Sequence, residues 1–468
     1  MEQLPDDVLL EVMRYLTVED LFACRLVCKR LGALALHPDV WRHRDLNAYG
    51  DQLKWLCPVL RLAPCLTTLM MDLPTPGCLL ACTMVKCAVR ELYLGVVDEG
   101  GSMHAAALIR SQEALGRLRV LQISFPLGSD REQTALMGTV ASTSGLEMLI
   151  CDHCSPCPAS TIARLVQHGA VTTSSLRYFI CSLFSQSDYG FAHFVLSLHA
   201  ATLEKVDLGL GSRLSDDYCP YLSETASLLV GMPNLRKLEC PVLPGLESLV
   251  VCESLTTLTI NVCALPDRRA LVGAAKLLRR AHQLREVMLY YRSFFEDRSL
   301  LDLGVDLIRA LECSGRSQLE KLSLGASWEF AAPPDKIFTL VTPLLATLPS
   351  LQALKHLAVD PAPSELLLGI TPQTTPALEG LELHPIDDTL LPCAHAWLHS
   401  DAVKKLFTNN SSLELFVPNL PKYCPDDELC EVCALGCHLP HWHDVELEKF
   451  DLLHGITCSL IPRNKFCS

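Results

Sequence analysis

The sequence is short of several features that would assign it to common classes. It contains no block of five or more lysines and arginines, and acidic residues outnumber basic ones by 53 to 39, for a net charge of −14. Nucleic acid is therefore excluded as a partner of the whole chain, and a basic segment suits its field better. No apolar run approaches the roughly 18 residues that span a bilayer. The opening MEQLPDDVLLEV lacks the basic region of a secretory leader, so no membrane association and an intracellular location, cytoplasm or nucleus, are expected. The terminal KFCS is not a prenylation box. G-x-S-x-G, Walker A and a post-strand G-x-G-x-x-G are all missing, which removes the usual signs of an enzyme or a cofactor site. Aromatics supply only 6% of residues while hydrophobics supply 49%. Leucine, valine and alanine must then build the interior. The 23 cysteines, an odd number without a leader, are expected as free thiols, many of them buried as small hydrophobes.

What is present falls into two patterns. Residues 4–46 carry short helical periodicity. Leu9, Val12, Met13 and Leu16 fall at i, i+3, i+4 and i+7, the spacing of one apolar helix face. Pro5 precedes them, and Asp6 and Asp7 favour the helix start. Thr17 and Asp20 have the spacing of a capping box for a second helix, along which Leu21, Cys24, Cys28 and Leu31 continue an apolar stripe. Pro38 and Trp41 follow. So small a unit is marginal by itself, so one of its faces is expected to dock on a partner or to cap the next domain.

Beyond it, the phrase L-x-x-L-x-L or a variant recurs thirteen times, from LTTLMM at 66 through LEKLSL at 319 to a weaker LELFVP at 413. The spacing averages about 29 residues and varies from about 20 to 35, the range of leucine-rich repeats. In Leu319-Glu-Lys-Leu322-Ser-Leu324 the leucines point inward from a short strand while Lys321 and Ser323 point out. Helical patterns lie between the phrases, as at 270–283, 300–315 and 395–407. Strand plus helix, repeated, predicts an α/β solenoid: an irregular leucine-rich-repeat horseshoe with concave parallel strands and outer helices. The asparagine or cysteine that commonly follows the phrase is present at Cys154 and Cys263 but replaced at Pro74, Pro126, Gly211 and Arg292.

Leu4-Pro5, Leu9, Val12, Leu16, Asp20-Leu21, Val27-Cys28-Lys29 and Trp41 resemble the F-box pattern in order and spacing. That resemblance implies an all-α module that docks on a Skp-type adaptor, itself bridged to a cullin and a RING subunit. Its contacts would be Leu4, Pro5, Val8, Leu9, Val12, Leu16, Leu21, Val27 and Cys28. The chain would then be the non-catalytic substrate-recognition subunit of an SCF-type ubiquitin ligase. Its domains are expected as an F-box over 1–46, a connecting helix or cap over 47–65, an array of about 12–13 repeats over 66–420, and a cap or tail over 421–468. The second reading is a leucine-rich-repeat scaffold without a ligase role.

For the protein substrate, the outward strand residues Tyr93, Tyr178, Lys205, Lys237, Glu286, Lys321 and His356 are candidates. Their mixed character identifies no ligand. Near the C-terminus Cys424, Cys430, Cys433, Cys437 and His438, with His441 and His443, form a weak zinc candidate. It lacks a second C-x-x-C at finger or RING spacing, so the expected metal complement is none. Cys151, His153, Cys154 and Cys157 form a weaker cluster still.

Overall fold

A computed structural model describes residues 4–73, 84–96, 99–125, 131–152, 174–181, 188–209, 224–262, 268–291, 305–314, 318–326, 338–385, 400–410, 412–418, 449–450 and 457–461. The chain forms two compact units, residues 1–235 and 236–468. The zinc candidate at 424–443 and the post-phrase positions 74, 126, 154, 211, 263 and 292 lie outside the described residues.

The first unit opens with four short helices, α1 (Asp6–Arg14), α2 (Val18–Val27), α3 (Lys29–Ala35) and α4 (Pro38–Trp41). The sheet then starts one strand earlier than the leucine phrases. Strand β1 (Asp45–Asn47) pairs in parallel with β2 (Cys65–Leu73), across the intervening helix α5 (Leu53–Leu62). The boundary drawn at residue 46 therefore falls inside a strand. Strands β3 (Ala88–Val96), β4 (Val120–Ser124), β5 (Met148–Asp152), β6 (Tyr178–Cys181) and β7 (Lys205–Asp207) follow in chain order, each parallel to the one before.

The phrase leucines explain this order. The register aligns Leu69, Leu92, Leu121, Leu149, Phe179 and Val206 in one inward column. Met71, Leu94, Ile123, Cys151 and Cys181 form the next, and both columns are buried. Because side chains alternate along a strand, a slip of one residue would turn a whole column to solvent. Helices α6 (Glu99–Leu115), α7 (Arg131–Ala141), α8 (Asp188–His199) and α9 (Glu224–Val230) pack on one another in chain order as a second layer. Buried Gln112 ties the layers together. It accepts the Val89 N–H at 2.8 Å and donates to the Cys87 carbonyl at 2.9 Å.

The second unit repeats the scheme with β8 (Lys237–Pro241), β9 (Thr257–Val262), β10 (Glu286–Tyr291), β11 (Lys321–Ala326), β12 (His356–Ala362), β13 (Gly380–Pro385) and β14 (Glu414–Pro418), all parallel. Leu238, Leu258, Val287, Leu322, Leu357, Leu381 and Leu415 form its main inward column. The last phrase is one residue out of step with the reading LELFVP. Leu415, not Phe416, stands opposite Leu381. Helices α10 (Arg268–Arg280), α11 (Phe338–Thr347), α12 (Ser364–Gly369) and α13 (Asp401–Asn409) accompany these strands. At its end the pairing reverses: β16 (Thr457–Ile461) runs antiparallel to β14, and β15 (Lys449–Phe450) antiparallel to β16. A continuing parallel edge is thereby covered.

The residue just before several of the strands adds a charge ladder. Arg119 meets Glu147 at 3.5 Å and Arg177 meets Glu204 at 2.8 Å. In the second unit Glu320 is shared by Arg285 at 2.6 Å and Lys355 at 3.3 Å, and their hydrogen bonds hold its carboxyl below the usual range. These pairs are solvent-exposed and act more on register than on net stability.

Of the cysteines, Cys65, Cys87, Cys151, Cys181, Cys240 and Cys252 are buried thiols outside any disulfide, as expected for small core residues. Burial pushes the Cys87 thiol up to about 12, which keeps it protonated and inert. Cys57 departs from the expectation of free thiols, because it is disulfide-bonded. Among the described residues, no helix is long and apolar enough to cross a membrane, and no group of three or more His, Cys, Asp or Glu is placed to hold a metal ion.

His199, at the end of α8, is 5% exposed, and burial pushes its pKa down to about 4. The folded state holds it neutral, whereas the unfolded chain protonates it near pH 6.5. Stability should therefore be full above about pH 6.5 and fall as pH drops towards 4, by up to about 3 kcal/mol from this group. Urea melts of the wild type and His199→Gln at several pH values test this. The variant should show a shallower loss across that window, and equal slopes would exclude the histidine as the cause.

Candidate functional site

The N-terminal helices are a candidate partner-docking module, and their sequence explains how they present apolar groups to solvent. In α1, Leu9 and Met13 turn inward, each 3% exposed, while Val8 and Val12 on the adjoining face are 42% and 52% exposed. The spacing had placed Leu9, Val12, Met13 and Leu16 on one face. The helix instead ends at Arg14, so Leu16 lies beyond it and is half-buried.

Helix α2 begins as the Thr17–Asp20 spacing predicts. The Asp20 N–H donates to Thr17 Oγ1 at 3.1 Å. The Thr17 hydroxyl donates to the Asp20 carboxylate at 2.7 Å. The stripe of Leu21, Cys24, Cys28 and Leu31 does not lie on one helix, however. The backbone becomes extended at Cys28, whose thiol accepts the Leu31 N–H at 3.4 Å and so caps α3. This break leaves Leu26 and Val27 83% and 69% exposed at the end of α2.

Exposed large apolar side chains are thus concentrated within residues 4–27: Leu4, Val8, Val12, Tyr15, Leu26 and Val27. Of the nine residues expected to touch a partner, Leu4, Pro5, Val8, Val12, Val27 and Cys28 are exposed and Leu16 is half-buried. Leu9 and Leu21 are buried, at 3% and 1% exposure. They hold the helices together, because a helix this short must turn some leucines inward to be stable. Tyr15 and Leu26 were not foreseen. Tyr15 follows the last helical residue, and only the break at Cys28 exposes Leu26.

Aromatic and guanidinium contacts anchor the module to the sheet. Trp41 is fully buried and donates Nε1–H to the Ala35 carbonyl at 2.7 Å. Phe22 contacts the Trp41 ring at 6.0 Å and stacks on Trp55 of α5 at 5.5 Å, with the latter planes 10° apart. Arg44, the residue before β1, donates to the carbonyls of Met13 at 2.8 Å, Arg14 at 2.9 Å and Val40 at 2.8 Å. It thereby satisfies carbonyls that the end of α1 leaves without intrahelical partners. Thr67 of β2 donates to the Arg42 carbonyl at 2.6 Å. Nothing in the leucine or helix periodicity had singled out Phe22 or Arg44.

The second candidate surface is the solvent face of the strands. Tyr178 and Lys205 stand side by side in the first outward row of the first unit. In the second unit Lys237, Thr257, Glu286, Lys321 and His356 form one unbroken row. Tyr93 belongs to the neighbouring row, with Met70, Gln122, Ile150, Ile180 and Asp207. All seven expected residues are at least partly exposed. The face is not uniform. In the second unit Thr259, Asn261 and Ser323 are buried, whereas no residue of the first two rows of the first unit is. Burial, then its Glu91 neighbour, raises the Tyr93 hydroxyl pKa. Burial and the Tyr49–Asp72 hydrogen bond raise Tyr49 to about 12.

Leu9→Ala should cost about 2–5 kcal/mol by leaving a cavity, while the exposed Val12→Ala should change stability by less than about 0.5 kcal/mol. Thermal melts of the two variants would contradict this division of roles if both fell equally.

Residues 1–47 match the F-box-like family. No curated protein matches the chain.

Proposed function

From the F-box-like domain over residues 1–47, we propose that this chain is the substrate-recognition subunit of an SCF-type ubiquitin ligase. The observation that carries this reading is the concentration of exposed apolar side chains on that domain, in front of a sheet with a long solvent face. Exposed apolar clusters of this kind mark interaction surfaces. F-box domains bind Skp-type adaptors, and Leu4, Val8, Val12, Tyr15, Leu26 and Val27 are the side chains we assign to that contact. Cullin and RING subunits follow through the adaptor.

The remainder of the chain is read as an irregular leucine-rich-repeat array, an α/β solenoid whose strand face holds a protein substrate. Support comes from inward columns built by the repeated phrase and from helices that pack in chain order. The chain itself performs no chemistry. It brings a substrate lysine near ubiquitin carried by the partner subunits, so its contribution is effective concentration. For that role the link between the two binding surfaces must be stiff. The Phe22–Trp41–Trp55 contacts and the Arg44 carbonyl clamp supply stiffness where the helices meet the first strands.

Charges at Leu9 would disrupt the helices themselves, so the discriminating substitutions are at exposed positions. Val12→Asp combined with Val27→Asp should abolish co-purification with a Skp-type adaptor and leave the melting temperature nearly unchanged. An adaptor complex that survives both charges would refute this assignment. Phe22→Ala is expected to loosen the module. Ubiquitin transfer to a bound protein should then fall while adaptor binding is retained.

A further inference from the structure

We infer that the solvent side of helix α10 (Arg268–Arg280) is a docking surface for an acidic segment of a partner protein, one that also carries apolar side chains. This surface belongs to the helix layer of the second unit and not to the strand face or the N-terminal helices, so it goes beyond the proposed function. Packing accounts for the inner side of α10. Ala270, Leu271, Ala274, Leu277 and Leu278 are buried, and the helical turns Leu246–Val251 and Leu311–Ser314 pack on the helix. Its outer side carries Arg268, Arg269, Val272, Lys276, Arg279 and Arg280, all exposed. Five of its 13 residues are thus cationic and none is acidic. No other helix among the described residues holds more than two lysines or arginines.

Helix formation does not explain this row. Arg279 and Arg280 suit the last turn, where the helix dipole favours cations, but Arg268 and Arg269 stand in the first turn, where it opposes them. Lys276 and Arg280 stand at i and i+4, a like-charge spacing that disfavours a helix. Neighbouring acids do not neutralise the row. Arg268, Lys276, Arg279 and Arg280 make no ion pair among the described residues, whereas Arg269 already holds an interaction of its own. Of the acids on the adjoining turns, Glu247 turns its Oε2 inward against Gly273, where it is buried, and Asp306 pairs with Arg309 at 3.8 Å. Glu253 and Glu312 are exposed and pair with none of the four cations. Four charges are therefore free for a partner, at a local cost to the helix that folding alone leaves uncompensated.

Two apolar groups select the partner further. Val272, one helical turn from both Arg268 and Lys276, is 46% exposed. Gln283 donates to the carbonyls of Val250 at 3.5 Å and Cys252 at 3.1 Å. Those bonds place Val251, 69% exposed, beside the carboxyl end of α10. Among the described residues of the second unit, only Leu368 is another large apolar side chain comparably exposed. Apolar groups set among unpaired cations fit a segment that mixes carboxylates with apolar side chains. From Arg268 to Arg280 the helix rises about 18 Å, the reach of roughly six extended or twelve helical residues of a partner. Nucleic acid and anionic bilayers extend past this row into the field of a chain with net charge −14, which repels them, whereas a short acidic segment ends within the row.

The test uses the full chain and fluorescence anisotropy of three short labelled peptides. One alternates glutamate with leucine. A second replaces the glutamates with lysine, and a third replaces the leucines with serine. The first should bind at least about tenfold more tightly than either of the others, and less tightly as salt rises. Arg268→Glu with Lys276→Glu should weaken it about tenfold or more. The melting temperature of that variant should hold or rise, because an acid at a helix start is favourable. Arg268→Gln with Lys276→Gln should weaken binding in the same direction at an unchanged melting temperature, and Val272→Ser by a smaller factor. Lys405→Glu, on α13, should leave binding unchanged. The inference is overturned if the glutamate peptide does not bind, or if the lysine or serine peptide binds as tightly. It is also overturned if both row variants bind normally, or lose binding only together with their melting temperature. Tighter binding of a single-stranded RNA or of phosphatidylserine vesicles through the same residues would overturn it as well. Adaptor retention is read in the same samples. Its absence with intact peptide binding would overturn the ligase reading and leave this inference standing.

Discussion

The structure depends on one constraint: no strand in this chain is complete without its neighbours. A strand of two to nine residues buries too little surface and leaves too many backbone groups unpaired to persist alone. Parallel pairing in chain order meets both needs at once. It joins Leu69, Leu92, Leu121 and Leu149 into a column and consumes the backbone donors and acceptors between them. The leucine phrase is the chemical form of that constraint. Its inward positions tolerate exchange among leucine, valine, phenylalanine, methionine and cysteine, because the column demands apolar volume and not a particular shape. Its outward positions are left free for recognition.

The same constraint makes the start of the sheet a distinctive place. The first strand pairs with β2 alone, and the helices that precede it pack where the sheet begins, α4 against β2. Arg44 draws the end of α1 onto the chain entering β1, and Phe22 bridges Trp41 and Trp55. The domain that resembles a separate module in the sequence is thus packed into the beginning of the sheet. On the proposed function this is what an adaptor subunit requires, since a substrate held on the strands is useful only at a defined distance from the partner complex.

Free outward positions have been used differently in the two units. Both keep the inward columns, yet one presents Val120, Met148, Tyr178, Ile150 and Ile180 while the other presents Lys237, Glu286, Lys321 and His356. Because the backbone pairing is common to both, the difference lies in side-chain chemistry alone. Recognition can then diverge along the chain without any change in what stabilises it.

Much of the architecture was legible in the residues because it rests on local periodicity. The spacing of Leu319, Leu322 and Leu324 is that of a short strand, Thr17 and Asp20 announce a helix start, and Leu4-Pro5 to Trp41 carry the F-box resemblance. What periodicity leaves open is which side of an element meets solvent. Leu9 and Val12 are equally apolar in the sequence, and only the packing of α1 turned the first inward and the second outward. The break at Cys28, which exposes Leu26, depends on an extended backbone that helical spacing did not reveal. Likewise Met148 and Tyr178, or Ile150 and Ile180, lie 30 residues apart in the chain. They become neighbours only through the register of strands whose separation varies, because that register is set by burial of the inward columns across the whole unit.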